Sequence, residues 1–183
     1  IRGEKPDKMP YSFWTHMPGT DLDPEAISQK TYEFYKKYDF DFVKTMNNGM
    51  YAIEDFGCTV DYSEIVKGGV AKVVSTPISC AADWRKLTVC PCTQGSNARE
   101  LRHLQLVLEK LKGEEVPVIF TAFTPITIAD KISGGKLISY IEEGHGDDVK
   151  AALEVITETT AQLVAAAIDM GADGLFLASQ MSS

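Results

Sequence analysis

The feature that most constrains this chain is an alternation. Short apolar runs, each too brief for a helix, are followed by longer stretches in which apolar residues return every three or four positions. The runs are residues 10–17 (PYSFWTHM), 40–46 (FDFVKTM), 117–122 (PVIFTA) and 174–178 (GLFLA). Runs of this kind read as strands buried on both faces, and strands alternating with helices imply a parallel sheet covered by those helices.

The stretches between them carry helix signals. Asp23 is placed to cap a helix with Pro24 at its first position, and Ile27, Thr31, Phe34 and Tyr38 then follow a helical period. Asn97 with Glu100 three residues on resembles a capping box, Leu101, Leu104, Leu108 and Leu111 form one stripe, and Gly113 ends that helix. Asp147 opens the longest helix, with Val149, Leu153, Ile156, Leu163, Val164 and Ala167 as its apolar stripe and Gly171 closing it. Residues 50–96 are less regular and longer than an ordinary loop, so short antiparallel strands and a functional role are expected there.

Composition narrows the function classes. At 183 residues, one domain is expected, spanning 1–183. Its 18 basic and 26 acidic side chains give a net charge of −8, which opposes the counterion release that drives nucleic-acid binding. No run approaches the roughly 20 apolar residues of a bilayer span, and the charged opening Ile1–Lys5 is unlike a signal peptide, so a cytoplasmic protein without membrane attachment is expected. The four cysteines, Cys58, Cys80, Cys90 and Cys92, fit free thiols better than a disulfide framework. Cys90-Pro91-Cys92 lacks a second Cys/His pair nearby, so no metal ligand is assigned.

Neither GxGxxG nor GxxxxGKS/T occurs, so the phosphate turn of a doubly wound nucleotide-binding sheet is missing. A TIM-type barrel needs no such turn and keeps its chemistry at the carboxyl ends of its strands. Those ends carry His16 after the first run, Asn47 and Asn48 after the second, Thr121, Phe123 and Thr124 after the third, and Ser179 and Gln180 after the fourth. Each alone reads equally well as a cap or a satisfied loop group, but their recurrence at four strand ends marks them as candidate ligand-binding residues. The segment from Pro125 to Gly135 is expected to be a rim loop, turned sharply by Gly134-Gly135.

Other candidates are weaker. His103 is expected on the solvent side of its helix, and His145 stands in a Gly-His-Gly loop. Phe13 and Trp14 read as core, Glu54 and Asp55 as solvated, and Asp39 and Asp41 lie at the amino end of the second strand.

The runs FTPITIADKISGG, YEFYKKYDFDFVKTMNNGMYAIEDFG and IDMGADGLFLASQ resemble, in order and across nearly the whole chain, the uroporphyrinogen decarboxylase superfamily of barrels. That superfamily includes true decarboxylases and corrinoid-dependent methyltransferases. The resemblance implies the first half of a (β/α)8 barrel, cut after its fourth strand. It also implies a catalytic role, and here the chain departs from the decarboxylases. Their arginine-rich segment after the first strand corresponds to FWTHMPGTDLDPE, which has no arginine; their aspartate after the second strand falls near Asn48; and their tyrosine after the third falls near Lys131. The methyltransferase branch is the closer match. It implies a methyl group moved between a cobamide, carried on a partner corrinoid protein, and a thiol or other small molecule. Zinc ligands, where that branch has them, lie beyond this chain. A uroporphyrinogen decarboxylase of porphyrin biosynthesis, or a barrel that binds a small ligand without catalysis, are the alternatives.

Overall fold

The computed structural model describes residues 8–180. Helix α1 (Pro24–Tyr38) begins at the expected cap: Asp23 accepts from the backbone amides of Glu25 at 2.9 Å and Ala26 at 3.2 Å, and Pro24 occupies the position whose N–H would be idle. Asp23→Ala should lower the unfolding free energy by about 1 kcal/mol. An unchanged denaturation midpoint would show that the cap contributes nothing.

Strand β1 (Val43–Lys44) and the short helix α2 (Tyr51–Glu54) follow, then the hairpin of β2 (Thr59–Asp61) and β3 (Lys72–Ser75). Helix α3 (Gly95–Lys110), strand β4 (Val118–Phe123), helices α4 (Pro125–Ile132), α5 (Leu137–Tyr140) and α6 (Gly146–Met170), and strand β5 (Gly174–Ala178) complete the order. The main sheet is parallel, in the order β1-β4-β5, with Val43 opposite Val118 and Ile119 opposite Gly174. Its pleat sorts the side chains. Val43, Val118, Phe120 and Ala122 are buried in the hydrophobic core, whereas Lys44 and Thr121 alternate with them and line the cavity side; Phe123 belongs to both, packed on Tyr51 of the core and lining the cavity. This is the first half of a barrel wall, with α6 packed outside it, α3 packed on α6 and α1 packed on α3.

The expected antiparallel strands within 50–96 are present as β2 and β3. Four expectations need correction. The second strand is ordered as a ladder only at Val43–Lys44, not over 40–46. Residues 11–17 form no strand: the chain there makes one reciprocal pair with the sheet side, Tyr11 N–H to the Asp41 carboxylate at 2.9 Å and Asp41 N–H to the Tyr11 carbonyl at 3.0 Å, and no ladder follows. The segment from Pro125 is helix α4, not a loop, and only the Gly134-Gly135 pair, with φ of 67° and 79°, turns as expected. The helical run Leu137–Met170 is long and apolar enough to cross a membrane by length and composition, contrary to the reading of the sequence. Gly144, with φ of 92°, breaks that run, and the α6 stripe of Val149, Ala152, Ile156, Leu163 and Ala167 is buried in the protein.

Candidate functional site

A cavity of about 660 Å³ opens at the carboxyl ends of β1, β4 and β5. The parallel strands bring Asn47, Asn48, Thr121, Phe123, Ser179 and Gln180 to its wall, and His16 reaches it from the strandless segment before α1. Thr124 is the exception. It stands before α4, with its hydroxyl 2.9 Å from that of Thr127 and its N–H on the Ala178 carbonyl, so it closes a strand-to-helix turn and does not line the cavity.

Two threonines fix the orientation of Asn47. The Thr121 hydroxyl donates to the Thr45 carbonyl at 2.8 Å, and the Thr121 N–H donates to Thr45 Oγ1 at 3.0 Å. Thr45 Oγ1 in turn donates to Asn47 Oδ1. With its oxygen engaged, Asn47 keeps an amide nitrogen that is buried and without a partner, on a side chain that lines the cavity. Thr121 was expected to bind ligand directly; its proton is committed to the sheet, and its role is to hold the Asn47 support in place.

Asn48 is fixed from a different direction. Its Oδ1 accepts from Met50 N–H at 2.9 Å and from the Tyr62 hydroxyl at 3.1 Å. Tyr62, from the turn after β2, also reaches Glu54 Oε1 at 3.0 Å, and Glu54 Oε2 accepts from Arg99 at 2.9 Å. Arg99 further pairs with the buried Glu100 at 3.2 Å. This side of the site is therefore braced by a polar chain running into α3. Asp21, at 7% exposure, stands against Asn48 on the cavity wall. Burial raises its carboxyl above the usual range, Asn48 partly offsets this, and Oδ1 has no hydrogen-bond partner.

The site is also more charged than a wall of small polar groups. Lys44 is 7% exposed, with its ammonium 4.2 Å from the centre of the Trp14 ring and 4.5 Å from that of Phe176. Desolvation pushes its pKa down to about 8. Lys131 lines the same cavity, donates to the Gly49 carbonyl at 3.3 Å, lies 4.9 Å from the Phe123 ring centre and is likewise lowered by burial. Trp14 is cavity wall with its ring edge-on to His16 at 5.2 Å, and Phe13 is 62% exposed; neither is core as expected. A signal for Lys44 was available: in FDFVKTM it is the one charged residue past Asp41, and strand alternation puts it opposite Val43. Asp21, in a turn, carried none.

Two further expectations are overturned. Asp55 is not solvated: its oxygens accept from the N–H groups of Ser96 at 2.7 Å and Asn97 at 2.8 Å, so it caps α3 from α2, and Asn97 is inside the helix rather than its cap. His103 is 1% exposed, between Thr31 of α1 at 3.4 Å and Glu100 at 3.8 Å. Asp41, at the amino end of β1, pairs with Lys8 at 3.1 Å and stays away from the cavity wall. Cys90 is buried with its thiol on the Asp55 carbonyl, in a segment beside no strand.

Among the described residues no group of three or more His, Cys, Asp and Glu side chains could hold a metal ion, so the residues present here do not fit a zinc centre.

A family model described as uroporphyrinogen decarboxylase (URO-D) matches residues 7–183. No curated protein matches the chain. Among solved structures, a methyltransferase from Methanosarcina mazei superimposes with a TM-score of 0.79 at 20% sequence identity, over 99% of this chain and 57% of that one. The likeness is one of fold, and the chain spans little more than half the length of that structure.

Proposed function

The chain belongs to the uroporphyrinogen decarboxylase family, and from that premise we propose that it forms the substrate-binding half of a barrel enzyme that transfers a methyl group between a methyl-cobamide and a small-molecule or thiol acceptor. The observation that carries this reading is the make-up of the cavity wall, where aromatic rings, oriented amides and two lysines stand without any arginine among the described residues. A substrate with many carboxylates needs more cations than Lys44 and Lys131 supply, and Arg99, the nearest guanidinium to Asp21 and Asn48, is engaged by Glu54 and Glu100. Asp21 does bring a carboxyl beside Asn48, and burial raises its pKa above the usual carboxylate range.

In this reading the chain contributes position. Trp14, Phe123 and Phe176 supply flat apolar surface that keeps water from the reacting molecule, and the amides of Asn47 and Asn48 set its orientation. Alignment of this kind can lower a barrier by several kcal/mol, about 7 in favourable cases. The cobamide is a substrate delivered by a partner corrinoid protein, and no step is assigned to zinc.

Full-length gene product incubated with methylcobalamin and a panel of small thiols, phenols and amines should demethylate the cobalamin, read as loss of the methyl-cobalt absorbance. Asn48→Ala should slow this by about tenfold, equivalent to about 1.4 kcal/mol, while Thr124→Ala should leave the rate near wild type. Coproporphyrinogen formed from uroporphyrinogen at an enzymatic rate, with no methyl transfer to any acceptor, would overturn the reading.

A further inference from the structure

Five polar side chains on the cavity wall are each at least nine-tenths buried; Asn48 and Thr121 have hydrogen-bond partners in the protein, which leaves Lys44, Asn47 and Asp21, all at 7% exposure. Burying such groups is costly unless each finds a partner. The Asn47 amide nitrogen has none. The Lys44 ammonium has the faces of Trp14 and Phe176, and its pKa reflects burial without an offsetting carboxylate among the described residues. Asp21 shares the cavity, but its carboxyl is turned to Asn48. A cation held against two rings, on the same cavity wall as an unpartnered N–H donor, is an arrangement suited to a single anionic group, with the rings enclosing the apolar body to which that group is attached.

We propose that the cavity is a binding site for a small organic monoanion, an aryl or alkyl carboxylate or its equivalent, with Lys44 as counter-ion and Asn47 Nδ2 as second donor. The inference rests on the cavity being where the reacting molecule of the proposed methyl transfer sits, and it names that molecule's class. Lys131 lies elsewhere on the wall and keeps the Gly49 carbonyl as its partner, so it adds general positive potential and no second anchor. Asp21 and His16 also line the cavity, with the Asp21 carboxyl turned to Asn48, so among the described residues Lys44 is the one ammonium left to meet an anionic group.

The test compares phenylacetate with 2-phenylethanol, which keeps the ring and replaces the carboxylate by a neutral hydroxyl. Isothermal titration of the full-length gene product near neutral pH should show phenylacetate binding at least about tenfold more tightly than the alcohol. Lys44→Met should remove that preference by weakening the acid about ten- to a hundredfold while leaving the alcohol little changed, and Asn47→Ala should weaken the acid severalfold. No measurable phenylacetate binding to the wild type, equal affinity for acid and alcohol, or a preference that survives Lys44→Met would each overturn the proposal. Methyl transfer measured on the same preparations separates the two ideas. An acid preference without any methyl transfer leaves the anion site standing and removes the reading it rests on, whereas methyl transfer without the preference does the reverse.

Discussion

Gly95→Ala is expected to destabilise the fold by about 4 kcal/mol, as much as a large cavity in the core. Two costs add at this position. Gly95 has a φ of 66°, a left-handed conformation that costs an alanine roughly 1–2 kcal/mol. A Cβ built there would also collide with the Asp55 carboxylate, the group that caps α3 through Ser96 and Asn97. Displacing it forfeits charge-assisted bonds that contribute roughly 1.5–3 kcal/mol. Denaturant titration of the single variants and of Gly95→Ala in an Asp55→Ala background resolves the two causes. If collision matters, the double variant loses only about 1–2 kcal/mol beyond Asp55→Ala, the cost of the backbone alone. A Gly95→Ala midpoint equal to wild type would mean that α3 does not start against Asp55.

That cap also shows where reading the chain in one dimension stops. Asn97 and Glu100 satisfy the local spacing of a capping box, but the group that caps α3 comes from a residue 41 positions before Ser96, and no local pattern encodes it. His103 fails for a related reason. The leucine stripe of Leu101, Leu104 and Leu111 predicts one buried side, whereas α3 packs against α1 as well as α6, so a second face is covered and His103 lies in it. Residues 11–17 have the composition of a strand, but a strand also needs a neighbour's ladder, and this segment makes only the Tyr11–Asp41 pair. Strand β5 coincides with the expected 174–178, and β4 is one residue later than expected at each end, because both are apolar runs with strong local contrast to their flanking residues. The candidate site residues were legible because parallel strands put their carboxyl ends on one side, so position along each strand was enough to gather six of them, while His16 reaches the wall without the strand expected before it. Their chemistry was not. Whether Thr121 offers its hydroxyl to a ligand or to Thr45, and whether Lys44 meets water or two rings, depends on neighbours 76 or more residues away for the first and on both ends of the described chain for the second.

Lys44→Met should stabilise the protein by about 2–3 kcal/mol at neutral pH, an unusual direction for a change at a buried position. The folded-state pKa of about 8 lies below the ordinary lysine value of 10.5. Below about pH 8 the amine is charged in both states and the folded state bears the full cost of burying it. As pH rises from about 8 toward 10.5, the folded protein releases its proton before the unfolded chain does, and stability gained from this group increases. The wild type should therefore become more stable across that window relative to the variant, and the advantage of methionine should shrink toward zero by about pH 10.5. Lys131, lowered in the same direction, titrates in both proteins and cancels in the difference, and the other ionisable side chains on the cavity wall, His16 and Asp21, are also common to both. Methionine is close to lysine in length and keeps contact with Trp14 and Phe176, so no cavity offsets the gain. Urea denaturation of the two proteins at several pH values measures the difference directly. A residue that costs stability where a neutral one of the same shape would not is the signature of a group retained for binding. If Lys44→Met is instead less stable than wild type at neutral pH, the ammonium has a structural partner in the folded protein, and the premise that it awaits an anionic ligand falls with it.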